Sequence, residues 1–276
     1  MTHDSLPGAL PGRLTGTDLR VGYGDRAVLA DLDVVVPDGS FTVIVGPNAC
    51  GKSTLLRTLS RLLRPQHGAV LLDGRDVAGY GGKEFAREVG VLPQQSIAPD
   101  GITIIDLVAR GRFPYQKLFR QWTEADQRAV DYALQVTRLT ELSTRPVEAL
   151  SGGQRQRVWI AMALAQQTPI LLLDEPTTFL DLGHQIEVLD LCVDLNRRGT
   201  TLVAVLHDLN QAARYASHII AMRDGEIVAV GPPRDIITAE LVDRVFGVYA
   251  QVIDDPQTGT PLVVPLAEGA VRADSV

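Results

Sequence analysis

Gly46-Pro47-Asn48-Ala49-Cys50-Gly51-Lys52-Ser53 follows the short β-rich run at 41–45 and opens a stretch, residues 52–63, with helical periodicity. Strand, glycine loop and helix are the context that the pattern G-x-x-x-x-G-K-[ST] requires. Glycine lets the backbone turn so that successive N–H groups point inward at phosphate oxygens. The helix that starts at Lys52 adds the positive end of its dipole. In this reading Lys52 reaches the β- and γ-phosphates of a nucleotide, and the Ser53 hydroxyl binds Mg²⁺.

Working outward, residues 14–21 and 28–36 read as two strands joined by Gly22-Tyr23-Gly24-Asp25. Further strand signals fall at 69–72 and 89–92. From about 96 to 165 the pattern changes: 102–111, 124–139 and 152–166 read as helices, with no convincing strand between them. Thr123 followed by Glu124 and Asp126 is a helix start with acids in its first turn. Strand and helix then alternate: 170–173, 182–198, 201–206, 209–215 and 218–222. Alternation of this kind implies a mostly parallel sheet with helices on its faces. Residues 227–230 suggest another strand, 234–246 two short helices, and the tail after Val264 is expected to be loose. The expected organisation is a nucleotide-binding core at 14–94 and 166–250, a helical subdomain at 95–165, and a C-terminal extension at 251–276.

Two further motifs carry chemistry. Ile170-Leu171-Leu172-Leu173-Asp174-Glu175 is an apolar strand ending in two acids. A buried strand needs no charge, so the pair at its carboxyl end is expected to face the phosphates. Asp174 would hold Mg²⁺ and Glu175 would polarise the attacking water as general base. Leu150-Ser151-Gly152-Gly153-Gln154 is the most specific element. Ser151 can cap the following helix and leave N–H groups exposed at its start, which makes a second anion site. One phosphate loop already serves one nucleotide, so this second site most simply serves a nucleotide held by another subunit.

Composition limits the classes. The chain has 276 residues and a formal charge of -7, which argues against a protein built to coat nucleic acid. Cys50 and Cys192 make neither a disulfide framework nor a metal cluster. Residues 1–13 lack an apolar signal core, and the apolar runs are too short to cross a bilayer. Membrane spans, if the protein works at a membrane, are expected from another chain. Cys50 sits at a helix N-terminus, where a thiol pKa can be lowered; a small loop side chain is the plainer reading.

Phosphate loop, Leu-Ser-Gly-Gly-Gln, the Asp174-Glu175 strand and a later histidine, in that order, resemble the ATP-binding subunits of ABC transporters over roughly residues 14 to 250. The resemblance implies a RecA-like P-loop fold with an antiparallel β part near the N-terminus and an inserted helical subdomain. It implies ATP at Tyr23, Gly46, Pro47, Asn48, Ala49, Cys50, Gly51, Lys52, Ser53 and Thr54, with Tyr23 stacking on adenine. Ser151, Gly152, Gly153 and Gln154 are expected to contact ATP in trans, in a head-to-tail dimer of two copies. Gln94, next to a confusable Gln95, matches the glutamine that contacts Mg²⁺ and the attacking water; Mg²⁺ thus falls to Ser53, Gln94 and Asp174. Asp181, in Thr178-Phe179-Leu180-Asp181, matches the loop that communicates between subunits, although Phe179 replaces the usual small residue. His207 matches the histidine that contacts the γ-phosphate and Glu175. Integral membrane permease subunits, and indirectly a solute-binding protein, are the implied partners, at the cytoplasmic face of the membrane.

The segment Val108-Ala109-Arg110-Gly111-Arg112-Phe113-Pro114-Tyr115 is similar to one in importers of ferric siderophores, with haem and cobalamin importers as relatives. Gly183-His184-Gln185 and the run from Leu206 to Tyr215 point the same way. Two other classes stay open: a soluble ABC-type ATPase of DNA repair or translation, disfavoured by the single module and the lack of heptads, and a small-molecule kinase, which has no use for Leu150-Ser151-Gly152-Gly153-Gln154.

Overall fold

A computed structural model describes residues 12–24, 26–94, 97–116 and 122–266. Gln95, the start before Gly12 and the tail beyond Leu266 lie outside the described residues. In chain order the strands are β1 (Leu14–Tyr23), β2 (Arg26–Val36), β3 (Phe41–Val45), β4 (His67–Leu72), β5 (Arg75–Asp76), β6 (Val89–Leu92), β7 (Ile170–Asp174), β8 (Thr201–Val205), β9 (His218–Arg223), β10 (Glu226–Gly231), β11 (Ala250–Asp254) and β12 (Pro261–Pro265). The helices are α1 (Lys52–Leu59), α2 (Gly82–Glu88), α3 (Ile104–Ala109), α4 (Glu124–Val136), α5 (Gly152–Ala165), α6 (Leu182–Arg197), α7 (Leu209–Tyr215), α8 (Pro233–Ile236) and α9 (Ala239–Phe246).

Two compact units divide the chain: residues up to Asp76 together with those from Val203 onward, and residues Val77–Leu202. In the first unit, β1 and β2 form an antiparallel ribbon, and β4 joins the other edge of β1. A second sheet runs in the order β10-β9-β3-β8, with β3 and β9 parallel. Every residue of β3 is buried, as a strand covered on both faces requires. The C-terminal extension is not featureless: β11 and β12 pair in an antiparallel hairpin. Short strands separated by a turn at Asp255–Gly259 carry too few residues for their alternation to stand out.

In the second unit, β6 and β7 pair in parallel. Among the described residues from 97 to 165 the elements are helical, save an isolated bridge between Thr103 and Pro146. Helix ends differ from the sequence reading for local reasons. Periodicity continues to Leu63, yet α1 stops at Leu59, because Arg61 adopts φ +61° and Leu62 and Leu63 both turn their N–H groups back to Arg57 O. Thr103 caps α3 through Asp106 N at 3.3 Å, so this helix starts two residues later than expected; it passes at Arg110 into a 3₁₀ segment containing Pro114.

Candidate functional site

The phosphate loop is built by the strand before it and the helix after it. Gly46, at φ +153°, has no room for a side chain: a Cβ there would lie 2.2 Å from Met222 O. Gly51 adopts φ +107°, and its Cβ would meet Leu29 Cδ2 at 2.7 Å. Both glycines are therefore demanded by conformation and by space. Lys52 is buried, with its Nζ donating to Gly46 O at 2.8 Å and Pro47 O at 2.7 Å. The loop thus holds an ammonium at its mouth on its own carbonyls. Ser53 and Thr54 lie in the first turn of α1, which contains no acid to oppose an incoming anion.

Cys50, just before that helix, is buried. Its thiol pKa is raised, because burial outweighs the opposing charge of Lys52. A helix N-terminus alone does not lower the pKa of a thiol that is largely withdrawn from water.

His207 and Tyr23 belong to the same unit. Leu206 N donates to Ile44 O at 3.3 Å, which places the exposed His207 beside the strand that feeds the phosphate loop. Tyr23 ends β1 with 53% of its surface exposed, so its ring is available for stacking.

In the Val77–Leu202 unit the acids are placed by register. Leu92 pairs with Leu173, so Gln94 and Glu175 each stand two residues past a paired position. Gln94 Nε2 donates to Glu175 Oε2 at 2.8 Å. The same oxygen accepts from Thr178 Oγ1 at 3.0 Å, and Glu175 itself adopts φ +54°. Asp174, just before it, is only 1% exposed. The sequence shows Thr178 only as part of the Asp181 loop; its contact with the general-base candidate depends on the turn geometry.

Ser151 caps α5 reciprocally: Gln154 N donates to Ser151 Oγ at 3.3 Å and Ser151 N donates to Gln154 Oε1 at 3.1 Å. Asp181 caps α6, accepting His184 N at 2.9 Å. That backbone bond, followed by the His184 side chain, holds the Asp181 carboxyl below its ordinary pKa. Phe179, at φ +63°, is 94% exposed beside it. Among the described residues no group of three His, Cys, Asp or Glu is arranged to hold a metal, and no helix is long and apolar enough to cross a membrane.

Comparison with known proteins adds the rest. A family profile described as "ABC transporter" matches residues 29–178. The ferric enterobactin transport ATP-binding protein FepC of Escherichia coli (strain K12) is 58% identical over 94% of this chain and 96% of its own length. The probable siderophore transport system ATP-binding protein YusV of Bacillus subtilis (strain 168) is 52% identical, over 91% of this chain and 92% of its own. The dimeric structure of MJ0796, a bacterial ABC transporter cassette, superposes with a TM-score of 0.70 at 29% identity, covering 79% of this chain and 98% of that one.

Proposed function

The chain belongs to the ABC transporter family, as an ATP-binding and ATP-hydrolysing subunit, and on that premise we propose that it energises the import of ferric siderophores. The names of its 58% and 52% identical relatives support the solute class. One observation carries the assignment of chemistry: Gln94 and Glu175 meet at 2.8 Å beyond the ends of paired parallel strands. A carboxylate held by two donors is oriented, and remains able to take a proton from water at its other lone pairs.

In this reading Lys52 and the N–H groups of residues 46–54 hold the ATP phosphates, Tyr23 stacks on adenine and Glu175 is the base. His207 contacts the γ-phosphate. Ser53, Gln94 and Asp174 would hold Mg²⁺. They offer only oxygen donors, the set a hard cation takes, and the buried Asp174 carboxylate suits a cation. Mg²⁺ bound with the nucleotide would neutralise charge developing on the phosphate oxygens.

Two copies meet head to tail, with Ser151, Gly152, Gly153 and Gln154 of one serving the ATP of the other. Ser151 and Gly152 are exposed, and a Cβ on Gly152 meets nothing within 4 Å, so this helix start is open to a partner. ATP then biases the dimer toward its closed state, and hydrolysis removes that bias. Asp181 lies in the loop that reports one site to the other.

The permease contact falls on the helical part and the Gln94 loop, which offer a groove to a cytoplasmic helix of the membrane partner. A groove of about 490 Å³, lined by Asp106, Ala109, Arg110, Phe113, Gln116 and Trp122, exposes two aromatic rings of the kind that anchor interfaces. A polytopic membrane partner places the subunit at the cytoplasmic face of the membrane and connects it indirectly to a solute-binding protein. No nucleic-acid partner is part of this reading, and the net charge of -7 argues against a chain built to coat nucleic acid.

Glu175→Gln tests the chemistry: ATPase turnover is expected to fall about 10²–10⁴-fold with ATP binding retained. Normal turnover would refute the assigned base. Deletion of the gene, followed by growth on single iron sources, tests the solute; unchanged uptake of every ferric chelate overturns it.

A further inference from the structure

The start of α5 is braced by the start of α6. A Cβ built on Gly153 would lie 2.7 Å from His184 Cδ2 and 2.8 Å from its Cγ, so the imidazole rests directly on the Gly153 backbone. The ring is held on its other edge as well, with Nδ1 2.8 Å from Asp181 Oδ1. One turn further along both helices, Arg157 Nη1 lies 3.5 Å from Glu187 Oε2. Two adjacent glycines therefore differ in kind: Gly152 faces open space, while Gly153 is glycine because a histidine occupies the place of its side chain. His184 is not a core filler, since a third of its side chain (34%) remains exposed.

We propose that His184 is a positioning residue for ATP hydrolysis, joining the loop that ends at Asp181 to the helix start at residues 151–153 so that a shift of either is passed to the other. The link is short and physical: one carboxylate oxygen, one ring and one backbone, each in contact with the next. The inference rests on the functional reading above, in which the helix start serves the partner's ATP and the Asp181 loop communicates between sites. On that reading His184 connects the two nucleotide sites of the dimer within each subunit, and its removal uncouples them without removing a phosphate ligand.

The test is the ATP dependence of turnover in the assembled transporter, read alongside binding of a fluorescent ATP analogue. His184→Ala is expected to flatten the wild-type cooperativity toward a Hill coefficient of about 1 while leaving nucleotide binding intact. Gly153→Ala is expected to lose about tenfold in rate, because its methyl group collides with the ring. Combining it with His184→Ala opens the space and restores the rate to within about twofold of His184→Ala alone. Gly152→Ala meets nothing in its own chain, so His184→Ala does not rescue it. His184→Asn keeps a donor toward Asp181 and also keeps Cγ, with its amide oxygen in the place of Cδ2; it retains more of the cooperativity than alanine and does not rescue Gly153→Ala. An unchanged Hill coefficient in His184→Ala, or no rescue of Gly153→Ala by His184→Ala, overturns the inference while the functional reading stands. A wild-type curve without cooperativity overturns the two-site reading itself, and the link with it.

Discussion

Asp126→Asn is expected to destabilise the Val77–Leu202 unit by about 3–4 kcal/mol, and the structure says why. The Arg112 and Asp126 side chains are each only 5% exposed and meet at 2.9 Å between Nε and Oδ1. Breaking a buried pair by removing one charge costs about 3–5 kcal/mol, because the other charge stays behind in low dielectric. Here Arg112 keeps two neutral acceptors, Ala165 O at 2.8 Å and Gln167 Oε1 at 3.0 Å, and its guanidinium lies 4.0 Å from the Tyr115 ring centroid. These place the pair term at the low end of the range. Asparagine does not preserve the rest. Asp126 Oδ2 accepts from Thr123 N at 3.1 Å and Thr123 Oγ1 at 2.6 Å, so whichever way the amide turns, its NH₂ faces a donor. Loss of that cap adds about 1 kcal/mol.

Both tryptophans, Trp122 and Trp159, lie in this unit, so urea unfolding followed by their fluorescence reports it directly. A cycle with Arg112→Met should show a coupling of about 1.5 kcal/mol or more, the double variant costing little beyond either single one. The sign with pH follows from the carboxyl. Burial pushes the Asp126 pKa up, but hydrogen bonds from Thr123 and Arg112 outweigh it, and the net pKa lies below the ordinary value of 3.8. A depressed native pKa means the unfolded chain takes up the proton first as pH falls. The wild-type advantage over Asp126→Asn should therefore stay constant from neutral pH down to about pH 4 and shrink only below that. A cost under about 1 kcal/mol, or additive single variants, would refute the pair as a buried anchor.

Other expectations follow from single contacts. Asn210 Oδ1 accepts Val263 N at 2.7 Å and its Nδ2 donates to Val263 O at 3.2 Å, so Asn210→Ala frees the hairpin from α7. The variant should lose about 1–2 kcal/mol of local stability, seen as faster amide exchange in β12 and faster proteolysis near Asp255–Gly259; unchanged exchange would show the clasp to be incidental. Gly51→Ala forces a side chain onto φ +107° and into Leu29, at about 1–3 kcal/mol, and should abolish nucleotide binding before it unfolds the protein. Cys192 is fully buried with its thiol pKa pushed up to about 12, so a thiol reagent at pH 8 should leave it untouched until the chain is unfolded. Rapid labelling of native Cys192 would contradict the packing around it.

The parts of this protein legible in the sequence are those whose physics is local. A phosphate loop needs two glycines, a lysine and a hydroxyl within eight contiguous residues, so it is visible before any fold is known. The fully apolar 170–173 run and the Ser151 cap are visible for the same reason: a buried strand and a helix start make demands on consecutive residues. The relation of Gln94 to Glu175, across 81 residues, depends on the β6–β7 register and came to the sequence reading only through family resemblance. Arg112 illustrates the limit well. Its segment resembles one in siderophore importers, and only the structure shows that its side chain also anchors Asp126, Ala165 and Gln167.

Sequence alone thus determined the chemistry on offer and the order in which it is strung: phosphate loop, glycine-rich cap, acidic pair, histidine. Only tertiary structure decided how distant pieces meet: the ring of His184 on Gly153, the hairpin held by Asn210, and the burial that raises rather than lowers the Cys50 pKa. The reason is that a motif is a constraint on neighbours along the chain. Desolvation, register and side-chain contact are instead set by residues far away in number and close in space.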